Sequence, residues 1–385
     1  MKTRLLILTA GFGEGHNAAA RALMAAGESV FGEGYARVAD PFALASPRFN
    51  AAARRGYILW INRAPKLWSR FYDWLDHSRS AAPLLGMFRA EKRALAALIE
   101  QEAPGVIACT YPVYAFMLAA LAREQRLRVP FFNVVTDSIT INSLWWRAGA
   151  AGWFLPNEDS AEVMQRAGLP RDRLRVLGFP VSDFFKSNAA ELSPPDLGAG
   201  ATPRVLCIIN SGTRGAIETV RRLLSTTDWE ITCTVGRDEA LHHKLTELAV
   251  GRKFPTKILG WTHEIPRLLM THHVVISKAG GATTQEALAA RCPMIVNQIV
   301  PGQEEGNYEL LRRYGVGALA ESPAAVVAEL ERAFKEGGRV WREWRQALAP
   351  LSRPDAAQQI VEALEQSRLA LPVAAGKMTG ALPQP

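Results

Sequence analysis

Cysteine is scarce and scattered: the 385 residues hold four, Cys109, Cys207, Cys233 and Cys292, with no C-x-x-C pair. That spacing excludes a zinc ribbon or a disulfide framework and suits a reducing compartment. No stretch reaches the roughly 18 uninterrupted apolar residues of a membrane span. The apolar run that follows Lys2 and Arg4 is too short for a signal-peptide core and reads as a first core strand. No Asp-x-Asp occurs anywhere in the chain. The expectation is a cytoplasmic protein, soluble or peripherally attached to a membrane.

What is present is ordinary globular material, 48% apolar and 21% charged. The length suits two domains of roughly 150–200 residues. The net charge of +8 is local: Arg48 to Arg93 holds ten basic residues against three acidic ones. Phe49, Tyr57, Trp60, Trp68, Phe71, Tyr72, Trp74 and Phe88 are mixed among them. Such a stretch fits a surface for anionic lipid, where each cation adds about 1 kcal/mol and Trp and Tyr settle at the interface. It equally fits a solvated helical face with inward aromatics, or a nucleic-acid patch. Trp341 and Trp344, in RVWREWR, fit the same surface or a crossover helix.

Apolar, β-branched runs recur at Val106–Cys109, Phe131–Val135, Val205–Ile209, Ile231–Val235, Val274–Ser277 and Met294–Asn297, with helical stretches between them. This alternation predicts α/β architecture with parallel sheets covered on both faces. A Pro-, Gly- and Ala-rich break at 187–203 reads as a linker. The expected division is 1–186, then 204–345, with a helix at 346–367 and a disordered tail at 368–385. Each half opens with a strand, a glycine loop and a helix. Two Rossmann-like halves are expected to face a ligand-binding cleft.

The first glycine loop reads Gly11-Phe12-Gly13-Glu14-Gly15-His16, which is not the dinucleotide fingerprint. Two readings fit it. The glycines tighten a turn and His16 caps the helix; or Gly13 and Gly15 admit a hydroxyl whose proton His16 accepts, with Glu14 tuning it. In the second half, Gly280-Gly281-Ala282-Thr283 opens a helix and offers its amides to a phosphate, and Glu286 suits a ribose diol. A structural turn with a Thr cap is the plainer reading. The loop Pro301 to Asn307 carries Gln303, Glu304 and Asn307, which together suit sugar hydroxyls or simply solvent.

These motifs, with FFNVVTDS, LRVLGFPV, TVGRDEAL and ILGWTHEIPRLL in order between them, resemble glycosyltransferases of the GT-B fold over about residues 4–345. The similarity is to the monogalactosyldiacylglycerol synthase and processive diacylglycerol glucosyltransferase group. A more distant likeness is to the N-acetylglucosaminyltransferase that completes the lipid-linked peptidoglycan precursor. The resemblance implies an inverting transferase that moves a hexose from UDP-galactose or UDP-glucose to diacylglycerol or a related lipid. By the same resemblance His16 is the base, with Asp137 beside it. The diphosphate lies at Gly281, Ala282 and Thr283, near Ser211 and Gly212. Arg237 faces the leaving group, backbone from Trp261 to Ile265 holds the uracil, Glu286 the ribose, and Gln303 with Glu304 the sugar. No obligatory cofactor or metal is expected, anionic lipid is a possible activator, and the two glycine-loop domains argue against a nucleic-acid partner. Two departures bear on the acceptor: SITINSLWW stands where a His commonly follows, and Gly178-Phe-Pro180-Val-Ser182 replaces Gly-x-Pro-x-Arg. A transferase for another lipid, or a UDP-sugar sensor without turnover, remains the alternative.

Overall fold

The computed structural model describes residues 3–48, 50–53, 56, 74, 88–209, 213–300, 302 and 304–370. Most of the basic, aromatic stretch, together with Ser211, Gly212, Gln303 and residues 371–385, lies outside them. The chain forms two compact units, Met1–Val181 with Asp355–Pro385, and Ser182–Pro354. Among the described residues no helix is long and apolar enough to cross a membrane.

The first unit is built on six parallel strands: β1 (Leu5–Leu8), β2 (Ala36–Ala39), β3 (Val106–Cys109), β4 (Phe131–Val134), β5 (Gly152–Leu155) and β6 (Leu174–Val176). Their order is β2-β1-β3-β4-β5-β6. Every residue of β1 is buried because both sheet faces are covered, so the strand reads as continuous apolar sequence. Its side chains alternate between two cores. Leu6 and Leu8 pack with Leu95, Leu118 and Leu121, from α3 (Arg89–Glu102) and α4 (Val113–Arg123). Leu5 and Ile7 pack with Ala20 and Leu23 of α1 (Glu14–Phe31), and with Ile360, Val361 and Leu364. The last three come from the far end of the chain (Ala356–Ala370, a helix), which is fastened at its tip by Tyr35 Oη donating to Glu365 at 2.8 Å.

The second unit carries β7 (Arg204–Ile208), β8 (Glu230–Thr234), β9 (Thr256–Leu259), β10 (Val274–Lys278), β11 (Met294–Gln298) and β12 (Ala318–Leu319). The order β12-β11-β10-β7-β8-β9 is the doubly wound arrangement, all parallel. Residues 187–203, expected as a linker, group with this unit. Leu197 there is buried against Gly338, whose φ of +83° and lack of a side chain open the space: a Cβ would sit 2.6 Å from Leu197 Cδ1.

Trp341 and Trp344 belong to no exposed surface. Both are buried in the core of this unit, and Trp341 Nε1 donates to the carbonyl of His273 at 2.7 Å. Arginines lie over the rings: Arg345, from RVWREWR, above Trp341 at 5.5 Å, and Arg332, from earlier in the same helix region, above Trp344 at 5.0 Å. Cys207 and Cys233, 26 positions apart, are direct neighbours across β7 and β8.

Candidate functional site

In doubly wound sheets ligands bind beyond the carboxyl ends of strands, where the strand order reverses. In the first unit that reversal lies between β1 and β3, and His16 stands there. Gly13 is the residue before helix α1 and adopts φ +145°, a conformation L side chains rarely enter, with no side-chain cap on the helix. His16 is therefore inside the first turn and is not the cap. A Cβ on Gly13 would lie 3.6 Å from His16 Cδ2 and 4.0 Å from Nε2. A side chain at position 13 would therefore stand against that edge of the imidazole.

The loop before α1 is tied down by polar contacts from the neighbouring strand ends. Gly11 N donates to Asp40 Oδ2 at 3.3 Å, and Thr9 Oγ1 to Asn17 Oδ1 at 3.0 Å. Asp40 Oδ1 accepts from Tyr114 Oη at 2.9 Å and from the amides of Phe42 and Ala43.

His16 itself is half-buried. Its Nδ1 is hydrogen-bonded to Thr136 Oγ1 at 2.8 Å, and the Thr110 carbonyl accepts from the ring. Tyr111 meets the imidazole edge-on at 5.1 Å between centroids, and Trp145 lies at 6.3 Å. Burial pushes its pKa down from 6.5 to about 4, against the Thr110 bond, which raises it. The ring is neutral at neutral pH.

Asp137, next to Thr136, accepts from Trp145 Nε1 at 2.7 Å; burial raises its pKa from 3.8 to about 6, and the indole bond opposes that shift. Glu14 does not reach His16. Its carboxylate is exposed and pairs with Arg21 on the same helix. Beyond Asp137 the backbone is strained: Ile139 takes φ +58°, which for a β-branched residue costs about 1–3 kcal/mol and persists only where neighbours enforce it. The enforcing contacts are Ile139 N to Ser160 Oγ at 3.3 Å and Asn157 Nδ2 to Ser138 Oγ at 3.3 Å.

In the second unit the reversal lies between β7 and β10. A crevice opens there, lined by Ile208, Ile209, Thr219, Lys278, Asn297 and Gln298. Gly280 precedes helix α11, as we number Gly281–Ala289 in chain order, and leaves that helix without a side-chain cap. There is no Thr cap, and the first-turn amides of Gly281, Ala282 and Thr283 have no intrahelical partner. Glu286 lies partly exposed further along the helix.

The acidic loop closes on the same turn. Glu304 is buried; one carboxylate oxygen pairs with Lys278 Nζ and the other accepts from Val300 N at 3.0 Å. Its charge is committed within the protein, so a sugar hydroxyl would have to share it. Asn307 Nδ2 donates to the carbonyl of Ala279 at 2.9 Å. At the end of β8, Gly236 takes φ +60° and Arg237 projects outward, its guanidinium 5.6 Å from the centre of the exposed Trp261 ring. His263 meets the same ring at 4.2 Å, and Ile265 begins the next helix. Among the described residues no three His, Cys, Asp or Glu side chains cluster as metal ligands.

The sequence profile of the monogalactosyldiacylglycerol (MGDG) synthase family matches residues 16–181. A processive diacylglycerol beta-glucosyltransferase of Bacillus cereus is 24% identical over 371 residues, covering 94% of this chain and 93% of its own. The chain is similar to diacylglycerol glycosyltransferases over most of its length. The fold agrees with this similarity. The glycosyltransferase SnogD of Streptomyces nogalater superposes with a TM-score of 0.53 at 16% identity, covering 94% of this chain and all of its own. UDP-GlcNAc 2-epimerase of Neisseria meningitidis, solved with UDP-GlcNAc, gives 0.57 at 12% identity, over 95% and 100%. One GT-B architecture thus carries two chemistries, and the fold by itself does not choose between them.

The family match begins at His16 and ends at Val181, so it spans the histidine locus. Within each unit the expected residues gather: His16 and Asp137 around Trp145, Arg237 with Trp261, and the 281–283 turn against Glu304. Sequence reasoning missed Thr136, Thr110 and Trp145 around the histidine and Lys278 beside the glycine turn, and it read Asn307 for sugar hydroxyls where its side chain donates to the Ala279 carbonyl. Lys278 and Asn307 stood inside SKAGG and PGQEEGN and carried a signal. Thr136 carried none, because its partner is 120 positions away.

Proposed function

We propose that the protein is a UDP-sugar-dependent lipid glycosyltransferase that moves a hexose, glucose or galactose, to diacylglycerol or a closely related acceptor at a membrane surface. The observation that carries this reading is His16: a neutral imidazole whose Cδ2–Nε2 edge faces Gly13, which has no side chain, at the strand-order reversal of the segment that matches the MGDG synthase family. Similarity in sequence favours transfer over epimerisation, since the Bacillus cereus glucosyltransferase matches over 94% of the chain.

In this reading the acceptor hydroxyl gives its proton to His16 as its oxygen attacks C1 of the sugar. The new O–C1 bond forms on the face opposite the bond that breaks, and the electron pair of the old C1–O bond leaves on UDP. The configuration at C1 inverts. The first-turn amides at Gly281, Ala282 and Thr283, which have no intrahelical partner, and the positive end of their helix suit the diphosphate. Trp261 and Ile265 suit the uracil, Glu286 the ribose, and Arg237 the leaving group. Anionic lipid attracted by the basic residues between Arg48 and Arg93 would bring the enzyme to its acceptor.

The test is UDP release from UDP-glucose and UDP-galactose with anionic vesicles containing diacylglycerol, for the wild-type chain and His16→Ala. Release that requires diacylglycerol and is lost in the variant supports the reading. Binding of UDP without turnover of either donor removes the transferase reading and favours a UDP-sugar sensor.

A further inference from the structure

We propose that Thr136 is the positioning residue for the His16 base, an inference that rests on reading His16 as that base. Thr136 lies two residues beyond the end of β4 and is buried, and its Oγ1 lies 2.8 Å from His16 Nδ1. Among the described residues it is the one side chain hydrogen-bonded to the imidazole. The other polar group on the ring is the Thr110 carbonyl, which can only accept.

For Nε2 to take the acceptor's proton, Nδ1 must carry the ring hydrogen and donate it to Thr136 Oγ1, and it does so in both the neutral and the protonated ring. A methyl group in place of the hydroxyl offers no acceptor. Thr136 Oγ1 thus favours the tautomer whose lone pair is at Nε2 and holds the ring through the proton transfer.

The segment carrying Thr136 is built to keep that hydroxyl still. Asp137 is fixed by Trp145 Nε1 at 2.7 Å, and Trp145 in turn packs beside the imidazole. Ile139 is forced into the left-handed region with its amide on Ser160, and Ser138 is bonded to Asn157. The ring is held at Nδ1, and on the far side its Cδ2–Nε2 edge faces Gly13, a residue without a side chain, the arrangement a base needs. Asp137, whose Oδ2 accepts from Trp145, makes no hydrogen bond to the ring among the described residues and supports the histidine through its neighbours.

The experiment compares Thr136→Val, Thr136→Ser and His16→Ala in the full chain, with kcat and KM measured for UDP-glucose and UDP-galactose on diacylglycerol vesicles. Thr136→Val is expected to lose roughly ten- to a hundredfold in kcat, the scale of a misplaced catalytic group. Donor KM stays the same, and Thr136→Ser recovers most of the loss. Wild-type kcat in a folded Thr136→Val overturns the proposal, as does a folded Thr136→Ser no better than Thr136→Val. Should the valine variant not fold, Thr136→Ala removes the hydroxyl without filling buried space and is judged by the same outcomes. Full activity in His16→Ala instead overturns the base assignment, a failure distinct from that of Thr136 alone.

Discussion

Asn307 reaches back 28 positions to donate its side-chain amide to the carbonyl of Ala279, at 2.9 Å. The bond joins the helix after the acidic loop to the turn that opens α11. Asn307 Oδ1 has no hydrogen-bond partner among the described residues, so the side chain acts through its N–H alone. Asn307→Asp keeps the shape but cannot donate, leaving the Ala279 carbonyl unpaired in a buried place. We expect a loss of about 1–3 kcal/mol in urea unfolding, together with a raised KM for the UDP-sugar as the Gly280–Gly281 turn shifts.

The pH dependence of stability has opposed parts. His16 and His272 both have pKa values pushed from 6.5 to about 4 by burial. Between those values the unfolded chain binds protons that the folded chain refuses, so stability falls as pH drops from about 6.5 towards 4. Asp137 runs the other way: raised from 3.8 to about 6, it binds its proton earlier when folded and adds stability over that window. Asp137→Asn removes only the second part. Its urea midpoint is therefore expected to fall more steeply than that of wild type between pH 7 and pH 4.5. A parallel pair of curves would contradict the raised carboxyl.

Trp261 is 56% exposed, with Arg237 over its ring. An aromatic side chain so open adds little to folding, and Trp261→Ala should change stability by no more than about 0.5 kcal/mol. If the ring borders the nucleotide, donor KM rises about two- to tenfold, the range of an aromatic contact. Isothermal titration with UDP and thermal unfolding of the same sample separate the two effects.

The strands were legible in the sequence because buried parallel strands must be apolar throughout: Leu5–Leu8 and Val106–Cys109 can be little else. The glycine turns were legible because Gly13 and Gly280 leave openings that other residues would fill. Strand order was not, since nothing local in β7 says that β10 and β8 will flank it. The supports of His16 were hidden for the same reason: Thr136 and Trp145 come from another strand's end. Glu14 misled by proximity along the chain, where a helix turn sends its side chain to Arg21. Trp341 and Trp344 misled by composition, because arginines covering buried indoles read the same as arginines at a lipid surface.

The helix Ala356–Ala370 has a consequence for how the protein is made. When the ribosome has released residue 181, all six strands of the first unit exist, yet the face of β1 that bears Leu5 and Ile7 has only part of its cover. Ile360, Val361 and Leu364, which complete it, are synthesised only after the second unit, Ser182–Pro354. Of the two units, the one whose strands are made first is therefore completed after the other. A nascent chain halted before residue 356 would carry an open greasy face for chaperones to guard, even with the second unit fully formed.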